Sequence, residues 1–282
     1  MGTIKQILSL GAGVQSTAVF LMSCRGLLPK LDLAIFADTQ WEPAEVYTHL
    51  AWLEELGRQH GIPVHRVTAG NLRDDVIGWQ ALRDLKKRRA RLPLYVLNKD
   101  GSQGIIQRQC TQVYKIEPQT RFIRSEVLGL KKGQRAPRSH VIDHWFGISA
   151  DEPQRMRDSR DPWARNVYPL CGIPDQVLPK VFTRRSCMVW LAEHYPGRQI
   201  PRSACIACPY HSDEEWRRIR QHPQEWADAV AFDDAIRGSD GINGACFVHA
   251  ARVPLDQVDL STDYDRGQGA LWGNECAGMC GV

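Results

Sequence analysis

Apolar residues along the first half of the chain alternate between short runs and longer stripes with helical spacing. The short runs KQILSL (5–10), LDLAIFADT (31–39), IPVHRV (62–67) and SHVIDHWFGIS (139–149) predict buried strands. The segments STAVFLMSCRGLL and PAEVYTHLAWLEELGRQHG predict helices, and the second has Pro43 at its start and Gly61 past its end. This alternation predicts an α/β fold in which helices cover both faces of a parallel sheet.

The pattern changes towards the carboxyl terminus. We expect a helix from about Asp151, and from about residue 183 the strand signal fades while helices, loops and cysteines take over. We therefore predict a nucleotide-binding α/β domain over residues 1–210 that includes a cysteine cluster. A helical region with a cysteine-bearing tail would then occupy residues 211–282.

Composition narrows the class of protein. The 282 residues are 43% hydrophobic and 24% charged, which is typical of a globular protein that buries a sizeable core. We see no signal-peptide pattern and no apolar run near the ~20 residues of a membrane span, so we expect a cytoplasmic protein without membrane association. In a reducing compartment, the nine cysteines are expected to be ligands or nucleophiles rather than disulfides.

The stretch LSLGAGVQST (8–17) joins the first predicted strand to the first helix. A glycine-rich turn at this place directs backbone N–H groups and the helix dipole at one point, which suits a phosphate. Gly11 and Gly13 would let the backbone approach the anion, and Ser16 and Thr17 could add hydroxyl donors. The motif is neither a Walker loop nor G-x-G-x-x-G, and a tight turn without a ligand is the alternative interpretation.

Four motifs in order resemble the PAPS (phosphoadenosine-phosphosulfate) reductase branch of the adenine nucleotide alpha hydrolase, or PP-loop ATP pyrophosphatase, family. The Ser-Gly-Gly-x-Asp-Ser loop of that family would fall on residues 11–16, and Asp-Thr-Gly-x-x-x-x-Glu on Asp38, Thr39, Gln40 and Glu45. QCTQVYKIEP (109–118) and GISADEPQRM (147–156) are similar to its Cys-Cys-x-x-x-Lys-x-x-Pro and Gly-x-x-x-x-Glu-x-x-Arg segments. The resemblance implies that ATP, or PAPS or adenylyl sulfate, binds at Ser9, Gly11, Ala12, Gly13, Gln15, Ser16, Thr17, Asp38, Thr39, Gly147 and Arg155.

The chain departs from the family pattern inside the phosphate loop. Val14 stands where many members have lysine, and Gln15 stands where they have aspartate. Backbone amides supply most of the binding, so nucleotide binding should survive. The substitutions bear on how phosphate charge is neutralised and on whether Mg²⁺ takes part. Asp38, at the carboxyl end of a strand, is a candidate catalytic residue, with a loop cap as the alternative.

Cysteines form the second candidate site. Cys205 and Cys208 are spaced to hold one metal or cluster, and with Cys110 and Cys187 they could supply four thiolates to a [4Fe–4S] cluster. Alignment to the family on Lys115 and Pro118 places Thr111 where a second cysteine would stand. Either Cys187 is then the fourth ligand, or three cysteines leave one iron open to carry sulfide, as in related thiolation enzymes. The alternatives are a zinc site that includes His211 and plain buried cysteines.

Cys276 and Cys280 lie in a glycine-rich tail, GNECAGMCGV. The tail resembles the Glu-Cys-Gly-x-His tail of PAPS reductases, which implies a catalytic thiol that attacks sulfur or carries a persulfide. A tail whose thiols have no function is the alternative.

Charge separates the possible substrates. Residues 83–138 contain 15 Lys and Arg against 4 Asp and Glu, whereas the rest of the chain is net acidic. This excess favours a polyanion such as tRNA or DNA over a free nucleotide, although a solvated basic surface would show the same pattern. We therefore expect ATP-dependent sulfur insertion into nucleic acid, supplied by a sulfur donor such as a cysteine desulfurase. Reduction of PAPS or adenylyl sulfate, and a non-catalytic iron–sulfur sensor or nucleic-acid binder, are the alternatives; a homodimer is possible.

Overall fold

A computed structural model describes residues 4–82, 92–173, 180–238 and 242–261. Five strands form a sheet in the order β3-β2-β1-β6-β7, and every neighbouring pair is parallel. This confirms the predicted parallel sheet. The strands of this central sheet are β1 (Lys5–Ser9), β2 (Leu33–Asp38), β3 (Val64–Thr68), β6 (Ile142–Phe146) and β7 (Ala164–Val167).

Helices cover both faces of the sheet, as the alternating sequence pattern predicts. Helices α1 (Val14–Cys24), α2 (Ala44–His60) and α5 (Arg184–His194) share one apolar core with Leu8 and Phe36 of the sheet. On the opposite face, Ile7 and Ile35 pack with Ile123, which belongs to a helical stretch over residues 111–127. In this stretch, α4 (Glu117–Phe122) lies between π-helical turns at Thr111–Ile116 and Ile123–Val127.

The helix expected from Asp151 is wrong. The structure has only a 3₁₀ turn at Pro153–Arg155, and the chain then enters β7, which pairs with β6. Proline is tolerated at the start of a helix, but the polar residues that follow this turn offer no apolar face to the core. The added strand completes the central sheet at one edge.

A second sheet was not predicted. Strands β4 (Tyr95–Asn98), β5 (Gln103–Ile105) and β8 (Gly244–Phe247) form it in the antiparallel order β5-β4-β8. Each strand has only three or four residues, too few for an alternating apolar pattern to stand out. The pairing of β4 with β8 joins residues from both sides of position 210, and the division of the chain there stays a prediction.

Two further helices build a second core beside this small sheet. Helices α6 (Asp213–Arg220) and α7 (Pro223–Ile236) bury Trp216 and Phe232, and α3 (Leu72–Leu82) contributes Leu72 to the same cluster. The fully buried carboxylate of Asp233 accepts backbone N–H bonds from Val248 and Leu255, so it fixes the chain after α7. Among the described residues, no helix is long and apolar enough to cross a membrane.

The order of the strands defines where a ligand can bind. The connection after β1 leads to β2 on one side, whereas β6 and β7 extend the sheet on the other side. In open α/β sheets such a change of direction leaves a crevice at the carboxyl ends of the two strands. Here the crevice lies between β1 and β6, and the glycine loop and Gly147 follow those two strands.

The close approach at this crevice leads to a test of the fold. A Cβ atom at Gly147 would lie 2.5 Å from the backbone nitrogen of Ser16 and 2.6 Å from its Cα atom. Since backbone cannot move aside cheaply, Gly147→Ala should lower the free energy of unfolding by about 2 kcal/mol or more. Gly78→Ala is the matched control, because a Cβ atom there meets nothing within 4 Å; it should be neutral or stabilise α3 by up to about 1 kcal/mol. Equal effects of the two variants in chemical denaturation would contradict the contact.

Candidate functional site

The glycine loop after β1 forms a tight cup at the start of α1. Gly13 is the residue before the helix, and the Gly11 N–H donates to Ser16 Oγ at 3.2 Å while that hydroxyl lies 3.3 Å from the Gly13 carbonyl. Ala12 has a φ of 57°, a left-handed conformation that is uncommon for a residue with a side chain. The first N–H groups of α1 have no partner within the helix, so they are available to an anion.

Gln15 connects the loop to the segment after β6. Its side-chain amide donates to Glu152 Oε2 at 3.2 Å and to Ser149 Oγ at 3.4 Å. Arg155 donates to the same Glu152 oxygen at 2.7 Å. The first and fourth motifs recognised in the sequence therefore meet at the crevice, and Gly147 lies beside them.

Asp38 shapes the loop that follows β2. Its Oδ1 accepts the backbone N–H of Gln40 at 2.7 Å and the Tyr47 hydroxyl at 2.9 Å, and Gln40 is left-handed with a φ of 57°. Burial, followed by the hydrogen bond to Asp38, raises the pKa of Tyr47 well above its ordinary value. Asp38 thus holds the loop in shape at the carboxyl edge of the sheet, which agrees with the alternative interpretation of this residue as a loop cap.

A segment from the second core crosses to this edge of the sheet. Residues 201–206, called the bridging segment below, carry Ser203 against the glycine loop and Cys205 against the loop after β2. A Cβ atom built on Gly13 would lie 3.6 Å from Ser203 Cβ. The Ile206 N–H donates to the Trp41 carbonyl at 3.0 Å, and Thr39 Oγ1 lies 3.4 Å from Cys205 Sγ. The bridging segment thereby brings the C-x-x-C motif to the predicted nucleotide site.

A buried carboxylate lies beside Cys205. Glu42 is 3% exposed, and its Oε1 accepts the Thr39 hydroxyl at 3.0 Å and lies 3.7 Å from Cys205 Sγ. Its Oε2 is buried and has no hydrogen-bond partner in the described part of the chain. Burial, and next the Glu42 charge, raise the pKa of Cys205 well above that of an ordinary thiol, while Lys115 acts in the opposite direction. The thiol of Cys205 is therefore protonated at neutral pH in this arrangement.

The four candidate metal ligands divide between two cores. Cys205 belongs to the second core, and Cys110 packs against that core. Cys208 follows in a tight turn, since its N–H donates to the Cys205 carbonyl at 3.1 Å. Cys187 instead is fully buried in the core around α1, where burial raises its pKa to about 12. Within the described ranges, no three His, Cys, Asp or Glu side chains are gathered so that they could hold a metal ion.

The side chain of His211 holds the bridging segment by its backbone carbonyls. Its Nε2 donates to the carbonyls of Cys205 at 2.9 Å and Ile206 at 3.2 Å. Burial lowers its pKa to about 4, so the ring is neutral and holds its proton on Nε2. Its Nδ1 is buried and has no hydrogen-bond partner among the described residues, so the ring could offer this nitrogen to zinc and keep both carbonyl contacts.

Other predicted site residues take different positions. Thr17 is fully buried and its Oγ1 lies 3.0 Å from His49 Nε2, so its hydroxyl is occupied behind the loop. Ser9 is the last residue of β1, opposite Phe146 of β6. Glu45, which the family motif singled out, is an exposed residue in the first turn of α2. The tail cysteines Cys276 and Cys280, and residues 83–91 of the basic segment, lie outside the described residues.

Sequence reasoning missed two residues that the fold brings to the site. Glu42 and Ser203 each lie inside or next to a recognised motif, but neither stood out by spacing, whereas Glu152 is the glutamate of the Gly-x-x-x-x-Glu-x-x-Arg segment. Glu42 directly precedes Pro43, the residue before α2. A carboxylate is common near the start of a helix, where it interacts favourably with the helix dipole, so its presence there indicates no special function. Its burial depends on the bridging segment, which comes from a distant part of the chain.

No family model and no curated protein sequence matches this chain.

The buried histidine behind the loop predicts a pH effect on stability. Burial lowers the pKa of His49 to about 4 from 6.5, and the charge of Arg198 acts in the same direction. The unfolded chain therefore takes up a proton first, and stability should fall as pH drops from 6.5 towards 4, by about 3 kcal/mol from this group. His49→Gln should reduce the slope of the free energy of unfolding against pH by up to about one proton. An unchanged slope in denaturation series between pH 4 and pH 7 would contradict the assignment.

Proposed function

We propose that the chain is an ATP-dependent sulfurtransferase that inserts sulfur into nucleic acid. The observation that carries the proposal is the bridging segment, which places Ser203 on the glycine loop and Cys205 on the loop after β2. A site that combines a phosphate cup with thiols suits the activation of an acceptor by a nucleotide, followed by attack of sulfur. The family resemblance of four motifs supports the same reading.

The chemistry proceeds in two displacements. An oxygen of the acceptor attacks the α-phosphorus of ATP, pyrophosphate leaves, and the acceptor carries an adenylyl group. A hydrosulfide then attacks the activated centre, the bond to that oxygen breaks, and AMP leaves. Amides at the start of α1 would stabilise the charge that develops on the phosphates, and Mg²⁺ accompanying ATP would assist them.

The cysteines would hold the [4Fe–4S] cluster that the resemblance implies. Cys110 and Cys205 share the second core and Cys208 follows in the next turn, so these three would have to draw together around the cluster, whereas Cys187 belongs to a different core. Once bound, such a cluster would supply an iron that carries sulfide. The tail thiols are candidates for receiving sulfur from a donor such as a cysteine desulfurase.

The basic segment suggests how nucleic acid would reach the site. The helical stretch 111–127 begins at Cys110 beside the site and ends near the amino ends of the strands, where Ile123 packs on Ile142. Lys131, Lys132, Arg135 and Arg138 follow it and are exposed. Since the cup lies at the carboxyl ends of the strands, a nucleic acid bound to these charges would have to extend across one face of the protein to reach it.

Reduction of PAPS or adenylyl sulfate is the second candidate, and the tail resemblance favours it. In that reaction a tail cysteine would attack the sulfonyl sulfur, the bond from sulfur to the phosphate oxygen would break, and the adenosine phosphate would leave. A second thiol would then attack the cysteine sulfur and release sulfite as the two cysteines form a disulfide. A sensor that catalyses no reaction is the third candidate function. One assay distinguishes the three.

The assay compares substrates with protein reconstituted anaerobically. We expect release of pyrophosphate and AMP from ATP, with sulfur incorporation into tRNA or DNA when sulfide or a persulfide donor is present. Sulfite release from PAPS or adenylyl sulfate with a thiol reductant, and no reaction with ATP, would establish the reductase instead. Nucleotide binding without turnover of any of these substrates would indicate the sensor.

The nucleic-acid surface can be tested separately by charge reversal. Replacing Lys131 and Lys132 with Glu should weaken binding to tRNA or duplex DNA and reduce the log–log salt slope by about two, because roughly 0.9 counterion is released per duplex phosphate contact. The control replaces Arg25 and Lys30, also exposed near the amino ends of the strands but on the α1 face. If both pairs changed nucleic-acid affinity equally, or if neither did, the assignment of the nucleic-acid surface to Lys131 and Lys132 would be wrong.

Cluster ligation leads to a prediction about Cys187. Cys187→Ala should retain the iron content and the absorption near ~400 nm of anaerobically purified protein, because Cys187 lies in the other core. Cys205→Ala should lose both. If Cys187→Ala lost the cluster while Cys205→Ala kept it, the set of three ligands would be wrong.

A further inference from the structure

We propose that Ser203 completes the phosphate cup, and that nucleotide binding there is passed through the bridging segment to Cys205. The inference rests on the proposed binding of a nucleotide at the glycine loop. It adds a binding residue from a distant part of the chain and a coupling between two halves of the site.

Gly11 and Gly13 both face Ser203 on the side where a side chain would stand. A Cβ atom on Gly13 would lie 3.6 Å from Ser203 Cβ and 3.7 Å from its backbone nitrogen, and one on Gly11 would lie 3.9 Å from Ser203 Oγ. These are ordinary contact distances, so Ser203 forms a wall that faces the loop directly. A phosphate held by the amides of the loop would meet a second set of donors, the hydroxyl and the N–H of Ser203.

The loop itself is short of donors and of positive charge. The Gly11 N–H is used by Ser16 Oγ, and the Thr17 hydroxyl is paired with His49. No Lys or Arg occurs between Lys5 and Arg25. A polyphosphate at this place therefore needs partners from another segment, and Ser203 is the polar residue that faces both glycines.

The bridging segment is anchored on both sides of Ser203. Arg202 forms an ion pair with Glu215, which also caps α6 through Ser212. On the other side, His211 donates to the Cys205 carbonyl and the Ile206 N–H donates to Trp41. Because both ends are held, a shift of Ser203 towards a phosphate would pass through Ala204 to the backbone of Cys205.

Such a shift would alter the contacts of Cys205. Its sulfur lies 3.4 Å from Thr39 Oγ1 and 3.7 Å from Glu42 Oε1, distances that a small movement of the backbone would change. A phosphate bound in the cup would therefore change the distances between the Cys205 sulfur and these two oxygens. Sulfur chemistry would in this way be tied to the presence of the nucleotide.

The test measures affinity and backbone protection with α,β-methylene ATP, an analogue that resists cleavage at the proposed bond. We expect the analogue to slow amide hydrogen exchange at residues 11–17 and also at residues 202–206 in the wild-type protein. Ser203→Ala should bind it at least tenfold more weakly by calorimetry, because a hydrogen bond to a charged group is lost, and should lose the protection at residues 202–206. Ser203→Thr retains the hydroxyl and should restore both.

Ser125→Ala is the control, since Ser125 lies on the helical stretch 111–127 and donates to the Arg121 carbonyl. It should bind the analogue like the wild type. Wild-type protein that binds the analogue and protects only residues 11–17, or Ser203→Ala that binds like the wild type, would overturn the coupling and leave nucleotide binding intact. Wild-type protein that binds no adenine nucleotide would overturn the proposed function as well.

Discussion

The site depends on the docking of residues 201–206 across the carboxyl edge of the central sheet. The Ile206 N–H donates to the Trp41 carbonyl in the loop after β2, and the Trp41 side chain itself is buried in the second core. The same loop is held from the other side, because the Trp41 indole N–H donates to Asp228 at 2.6 Å and the Ala44 N–H to Glu225 at 2.8 Å. Parallel strands leave their loops open at this edge, and here a distant part of the chain closes over them. Without this docking, the glycine loop and the cysteines would belong to separate surfaces.

Glu42 shows what the docking costs in stability. Burying a carboxylate is unfavourable by several kcal/mol unless other groups compensate it, and one of its oxygens has no partner among the described residues. Thr39 and the Cys205 thiol offer the other oxygen only two contacts, of which the second is long. A buried carboxyl group with so few partners is typical of sites where ordinary packing has been given up for chemistry. Its position beside Cys205 therefore agrees with a functional role for the loop after β2.

The sequence predicts the central sheet well, because β1, β2, β3 and β6 are short apolar runs with helical patterns between them. The family resemblance implies that residues 9–17 and Gly147 bind one nucleotide, and in the structure they meet at the carboxyl ends of β1 and β6. The sequence pattern fails for β4, β5 and β8, whose few residues carry no clear period, and for the turn at residues 153–155. The placement of Cys187 away from Cys205 could not be foreseen either, because the spacing of cysteines along a chain does not determine which core each one enters. Long-range docking is decided by side-chain packing, which local patterns do not encode.

The central claim is that the phosphates of a nucleotide lie between the glycine loop and the bridging segment. A crystal structure of the protein with an ATP analogue bound tests it most directly. The account predicts a triphosphate in contact with the amides at the start of α1 and with Ser203, on the side of the sheet where Cys205 lies. A nucleotide bound elsewhere, or phosphates in the cup with the bridging segment moved away from them, would contradict it.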